Sequence, residues 1–182
     1  MFKLLSFFIV IALSFSISAQ INIVPKPKSV QLTRSLPFEF NYKTKIVATD
    51  EGSRRLAGYL NDYLLRFHGF KIAYTDKPQK KNAIVFERLS AQGNIPSDED
   101  YSLNVGKDTV KIGARGDAGL FYGLQSFLQL LPVKIEKGRA RIPAVEILDQ
   151  PRFKYRGLHL DVSRHFMPVE FIKKYIDLLA QY

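Results

Sequence analysis

The chain has 182 residues, a formal net charge of +10, 46% hydrophobic residues, no cysteine and no tryptophan. That length suits one domain, or a domain with a piece of another, and the apolar content excludes disordered and fibrous classes. The lack of cysteine excludes a disulfide-stapled scaffold and thiolate metal sites. The cations are scattered from Lys26 to Arg156 with no basic stripe on any one helix, so they read as solvation and no nucleic-acid partner is expected.

In "MFKLLSFFIVIALSFSISAQ", Lys3 precedes an apolar run from Leu4 to Phe15, followed by the small residues Ser16, Ser18 and Ala19. This is the pattern of a secretory signal peptide over residues 1–19, cleaved after Ser18 or Ala19 and too short for a stable membrane span. The expected location is therefore outside the cytoplasm, periplasmic or extracellular.

Residues 22–49 read as short extended pieces: Pro25 and Pro27 forbid a helix, and Phe38, Phe40 and Tyr42 alternate before Ile46 and Val47. The period then changes. Leu56, Leu60, Tyr63, Leu64 and Phe67 recur at three- and four-residue steps, with Thr49 or Asp50 to cap the start and Gly69 to end it. "NAIVFER" is a buried strand, "SAQGNIPSDED" a loop, and "YSLNVGKDTVKIGA" a hairpin turning at Gly-Lys-Asp. A second helix follows in "DAGLFYGLQSFLQLLP", capped by Asp117, with Leu120, Leu124, Phe127, Leu128 and Leu131 on one face and Pro132 ending it. "ARIPAVEILDQP" is extended again. The whole predicts an α+β domain over residues 20–150, a mainly antiparallel sheet with helices on one face.

Pro151 marks a boundary. Beyond it, Leu158, Leu160 and Val162 alternate as a strand, and "MPVEFIKKYIDLLAQY" opens a helix with Phe171, Ile172, Tyr175, Ile176 and Leu179 inward. A lone strand–helix unit cannot bury a parallel strand, so residues 151–182 read as the start of a further unit and the chain as the leading part of a longer one.

Few residues offer chemistry. Asp50-Glu51 reads as a helix start and Asp98-Glu99-Asp100 as a solvated loop, neither with the burial that tunes a general acid. The three histidines, His68, His159 and His165, lack ligand spacing, so no metal and no cofactor is expected. Ser163 beside His165 has no orienting acid for nucleophilic work. Arg164 and His165 lie where the last strand should end. Arginine's planar fork suits two neighbouring oxygens of a carboxylate or a diol, but the spacing equally allows Arg164 to be an ion-pair partner of Asp161.

The string "PRFKYRGLHLDVSRHFMPVEFIKKYIDLLAQY" closely resembles the opening of the catalytic domain of family 20 glycoside hydrolases, the β-N-acetylhexosaminidases. "IVPKPKSV", "YSLNV" and "AGLFYGLQSFLQLLP" resemble the family's N-terminal domain, and "IPAVEILDQPRF" its junction. The resemblance implies that a (β/α)8 barrel begins at residue 151 and that the substrates are glycans ending in β-linked N-acetylglucosamine or N-acetylgalactosamine. It implies retaining, substrate-assisted hydrolysis, in which the sugar's acetamido oxygen attacks the anomeric carbon, an Asp orients it and the adjacent Glu protonates the leaving oxygen. That Asp-Glu pair belongs downstream of Tyr182, and Asp50-Glu51 does not correspond to it. On this reading the chain holds no catalytic residue: Arg164 binds hydroxyls of the terminal sugar, Asp161 and His165 support it, and the 182-residue chain alone is inactive. The competing readings are a carbohydrate-binding or adhesion module, which should stop soon after Pro151, and a related barrel hydrolase such as an O-GlcNAcase or hyaluronidase-like enzyme, against which the Ser-Arg-His-Phe string speaks.

Overall fold

A computed structural model describes residues 21–90 and 96–182. The segment read as a signal peptide and the centre of the 90–100 loop lie outside the described residues. Among the described residues, nine strands and three helices follow in chain order: β1 Ser29–Leu32, β2 Phe38–Asn41, β3 Lys45–Val47, α1 Glu51–His68, β4 Tyr74–Thr75, β5 Ala83–Arg88, β6 Tyr101–Val105, β7 Thr109–Ala114, α2 Asp117–Leu130, β8 Arg139–Ile142, β9 Val145–Asp149 and α3 Val169–Gln181.

Seven strands form one sheet in the order β1-β9-β6-β7-β5-β3-β4, and β2 pairs with β8 apart from it. The sheet is more mixed than its sequence suggests. β6–β7, β6–β9 and β1–β9 are antiparallel, as is β2–β8, whereas β3–β4, β3–β5 and β5–β7 are parallel. The parallel part follows from connection length. A tight turn at Gly106–Asp108 reverses β6 into β7, but the 18-residue α1 carries the chain from β3 to its parallel neighbour β4.

Alternation decides the faces. Tyr101, Leu103 and Val105 of β6 and Val110, Ile112 and Ala114 of β7 are buried, while Asn104 and Lys111 between them are exposed. The solvated face carries polar pairs, Asn104 to Glu146 at 3.1 Å and Lys111 to Glu87 at 3.1 Å. The apolar face is covered by α1 and α2, whose Leu60, Leu64, Leu120, Leu124 and Phe127 are fully buried. α2 lies close against the sheet: a Cβ on Gly123 would stand 2.6 Å from Ile112 Cγ2. Tyr101 reaches from this core to the end of β9, its hydroxyl 2.5 Å from Ser126 Oγ and 3.3 Å from Asp149 Oδ2, and burial pushes its phenol pKa up.

Local signals explain the helix ends, with one correction. Asp50 caps α1, accepting from Ser53 N at 3.1 Å while Ser53 Oγ accepts from Asp50 N at 3.1 Å, and Gly69 ends it at φ 78°. Asp117 does not cap α2. Gly116 is the cap residue, and Asp117 begins the helix with its carboxylate turned instead to Arg88 and Arg55. Phe67 also departs from its expected inward place. It is 58% exposed, its ring 4.7 Å from that of Tyr63.

The largest difference lies past Pro151. The alternating run at 158–162 forms no strand; its backbone has no ladder partner among the described residues, and Leu158 and Val162 are 69% and 55% exposed. An isolated extended segment has nothing to satisfy its backbone but water, which is why alternation without a neighbour yields no sheet. α3 follows Pro168, amphipathic but without a buried residue.

Candidate functional site

Asp161 and Arg164 meet through the local turn rather than through strand geometry. Asp161 Oδ1 accepts from the backbone N of Ser163 at 2.9 Å and of Arg164 at 3.2 Å. Its second oxygen accepts from Arg164 Nη1 at 2.9 Å. The carboxylate thus closes an Asx-type turn and aims the guanidinium at once. The Arg164 side chain is 85% exposed, so its fork keeps donors towards solvent. His165 is exposed next to it, and His159 lies exposed six residues before it. The ion pair with Asp161 and an open guanidinium coexist, so the two readings of Arg164 are not exclusive.

Arg156, from the same stretch, has partners that no local spacing announces. Its Nη2 stands 2.5 Å from Glu99 Oε1 and 3.3 Å from the Tyr122 hydroxyl, which donates to the same Glu99 oxygen at 3.2 Å. Its Nη1 donates to Phe153 O at 2.7 Å, and the guanidinium lies 5.8 Å from the centre of the Tyr122 ring. The guanidinium hydrogen bond holds the Glu99 carboxyl below its ordinary value. The acidic loop is therefore more than a solvated turn. Asp100 is 4% exposed and accepts from Ser97 N at 3.1 Å, while Asp98 O accepts from Gly119 N at 3.0 Å.

A third cluster joins the starts of α1 and α2. Arg88, the last residue of β5, donates to Asp50 Oδ1 at 2.9 Å, to Asp117 and to Arg115 O at 3.3 Å. Arg55 bridges Glu51 at 2.8 Å and Asp117 at 2.9 Å. The Arg88 guanidinium holds the Asp50 carboxyl well below the usual carboxylate range and lowers that of Asp117. Both carboxylates also meet a helix N-terminus, which favours their charge. This is an internally satisfied joint, with the pair Asp50-Glu51 serving it rather than acid–base chemistry.

The joint has a pH consequence. Carboxylates whose pKa is depressed in the folded state stabilise it above their ordinary value of 3.8 and lose that contribution as acid protonates them. Arg88→Ala is expected to cost about 1–2 kcal/mol at neutral pH, a figure kept low because Asp117 is half exposed. Urea titrations at pH 7 and pH 3 check it: the gap between wild type and variant should shrink at pH 3, and an unchanged gap would assign the loss to packing.

Among the described residues no group of three His, Cys, Asp or Glu could hold a metal ion, and no helix is long and apolar enough to cross a membrane.

Comparison with known proteins places these features in a family. Residues 20–150 match the glycosyl hydrolase family 20 domain 2, and residues 153–182 the family 20 catalytic domain. A β-hexosaminidase of Porphyromonas gingivalis is 36% identical over 169 residues, spanning 89% of this chain and 21% of its own length. A β-N-acetylhexosaminidase of Cellulomonas fimi is 32% identical over 166 residues, covering 89% of this chain and 32% of its own. The solved structure of Streptomyces plicatus N-acetyl-β-hexosaminidase in complex with Thio-NAglucal superposes with a TM-score of 0.77 at 35% identity, over 88% of this chain and 32% of that one. The chain thus spans only a fifth to a third of the length of these relatives. With one family domain matched across residues 20–150 and a second beginning at residue 153, the chain belongs to glycosyl hydrolase family 20.

Proposed function

We propose that this chain is the leading part of an exported β-N-acetylhexosaminidase, removing terminal β-linked N-acetylglucosamine or N-acetylgalactosamine from glycans. The observation that carries the reading is Arg164, inside the catalytic-domain match, aimed by Asp161 and with its side chain open to solvent. A planar cationic fork is suited to two neighbouring ring hydroxyls, each a charge-assisted hydrogen bond. His165 is a supporting residue at the same segment. Residues 151–182 begin a (β/α)8 barrel, and the Leu158–Val162 run becomes its first strand once neighbouring strands supply the ladder; the outward apolar residues of α3 fit the same reading.

The reaction follows the family's substrate-assisted scheme, with the acetamido oxygen as nucleophile and an Asp-Glu pair for orientation and proton transfer. Residues of this chain contribute binding and positioning. The leader at residues 1–19 supports export to the periplasm or beyond the cell. The test is hydrolysis of an aryl β-N-acetylglucosaminide by the full-length gene product. Release of the aryl alcohol is expected, with none from the 182-residue chain alone; an inert full-length protein would refute the enzyme reading.

A further inference from the structure

Arg164 sits on a segment with little apolar anchorage: Phe153, Tyr155 and Leu158 are 72%, 89% and 69% exposed. What ties the start of that segment down is polar. Arg156, Glu99 and Tyr122 form a closed triangle of hydrogen bonds, with edges of 2.5, 3.2 and 3.3 Å, across three separate parts of the chain.

We propose that Arg156, Glu99 and Tyr122 are a latch that fixes where the 157–165 segment leaves the α+β unit, making Arg156 a positioning residue for Arg164.

The receiving side is held by hydrogen bonds of its own. Glu99 is held in a turn where its own N donates to Ser97 Oγ at 3.1 Å and Asp100 N donates to Ser97 O at 3.3 Å. Gly119 N, donating to Asp98 O at 3.0 Å, joins that turn to the first turn of α2, and Tyr122 follows one turn later on the same helix. The carrying side is folded back on itself by the bond from Arg156 to Phe153 O. Further along, Ile176, Leu179 and Ala180 of α3 line an open cavity of about 560 Å³ together with Phe121 and Tyr122. The segment with Arg164 is thus held to α2 by hydrogen bonds at its start, whereas α3 beyond it buries no residue.

The consequence is entropic. Eight extended residues can reach about 26–29 Å, so an unlatched Arg164 samples a wide volume and only a fraction of the population presents it correctly. Affinity then falls by that fraction. A lysine could keep one contact to Glu99, but it could not hold Glu99, Tyr122 and Phe153 O together as the fork does.

The link to Arg164's role rests on the functional reading above, whereas the latch itself does not. Because the chain lacks native cysteine, spin labels can be placed at Gly58→Cys, where a side chain meets nothing within 4 Å, and at the exposed Leu158→Cys. Double electron–electron resonance should give a narrow distance distribution that broadens at least twofold with Arg156→Ala and narrows in part in the charge swap E99R/R156E, which restores the ion pair but not the bond to Phe153 O. An unchanged width would overturn the latch. In the full-length gene product, Arg156→Ala should lower kcat/KM on the aryl N-acetylglucosaminide about tenfold, with partial recovery in the swap. A broadened distribution beside unchanged kcat/KM would overturn the positioning role. A broadened distribution beside a full-length gene product inert towards that substrate would refute the reading of function and leave the latch standing.

Discussion

Replacing Arg164 with alanine in the full-length gene product is expected to lower kcat/KM for an aryl β-N-acetylglucosaminide by a factor on the order of 10² to 10³. Two charge-assisted hydrogen bonds to sugar hydroxyls, the role proposed for Arg164, would contribute about 3–4 kcal/mol together, and each 1.36 kcal/mol is about tenfold in rate. Contacts that tighten as the ring distorts act in the transition state as well as the ground state, so kcat should fall along with the rise in KM. Arg164→Lys should recover little, because a point charge cannot replace the fork. Stability should hardly move, since the Arg164 side chain is 85% exposed and its one ion pair is on the surface. Wild-type kinetics in Arg164→Ala would remove Arg164 from the sugar site.

The largest stability effect should come from the centre of the α2 face. Phe127 is fully buried in the apolar cluster formed by α1, α2 and the sheet. Phe127→Ala removes its contacts and leaves a cavity that the tightly packed helix cannot fill, at a cost of about 3–5 kcal/mol. Against a total stability of about 5–15 kcal/mol this is a large share, and the variant should unfold at much lower urea concentration. Phe67→Ala is the internal comparison. The same aromatic on α1 is 58% exposed, so its loss should stay within about 0.5 kcal/mol. Equal costs for the two would contradict the assignment of the core.

The contrast between those phenylalanines shows what periodicity conveys. A three- or four-residue recurrence says which residues share a helix face, and for Leu56, Leu60 and Leu64 that face is the buried one. It cannot say where the covering sheet ends, and Phe67 continues the pattern into the last, uncovered turn. The α1 cap and terminating glycine were legible because their partners lie within a few residues. Asp117 was misread as a cap because its partners, Arg55 and Arg88, lie 62 and 29 residues away.

The same distinction runs through the candidate site. Asp161 and Arg164 are three residues apart, so their pairing could be read from spacing. Glu99 and Arg156 are 57 residues apart, and a run of three acids in a Ser/Pro-containing loop carries every local mark of solvated surface. The one hint was the tyrosine of "AGLFYGLQSFLQLLP", Tyr122, which falls outside the apolar stripe of its helix. The Leu158–Val162 run makes the converse point: alternation states which side chains would share a face, but a strand exists only where another backbone completes its hydrogen bonds.

The most direct measurement compares two substrates that differ at one position of the sugar. An aryl β-N-acetylglucosaminide carries the acetamido oxygen that attacks the anomeric carbon in the proposed reaction, whereas the aryl β-glucoside carries only a hydroxyl there. A positioned internal nucleophile is equivalent to a very high local concentration, with effective molarities reaching about 10⁵ M or more. For the full-length gene product, kcat/KM should therefore favour the N-acetylglucosaminide on the order of a thousandfold or more. Comparable kcat/KM values on the two substrates would contradict the proposal that this chain opens a substrate-assisted β-N-acetylhexosaminidase.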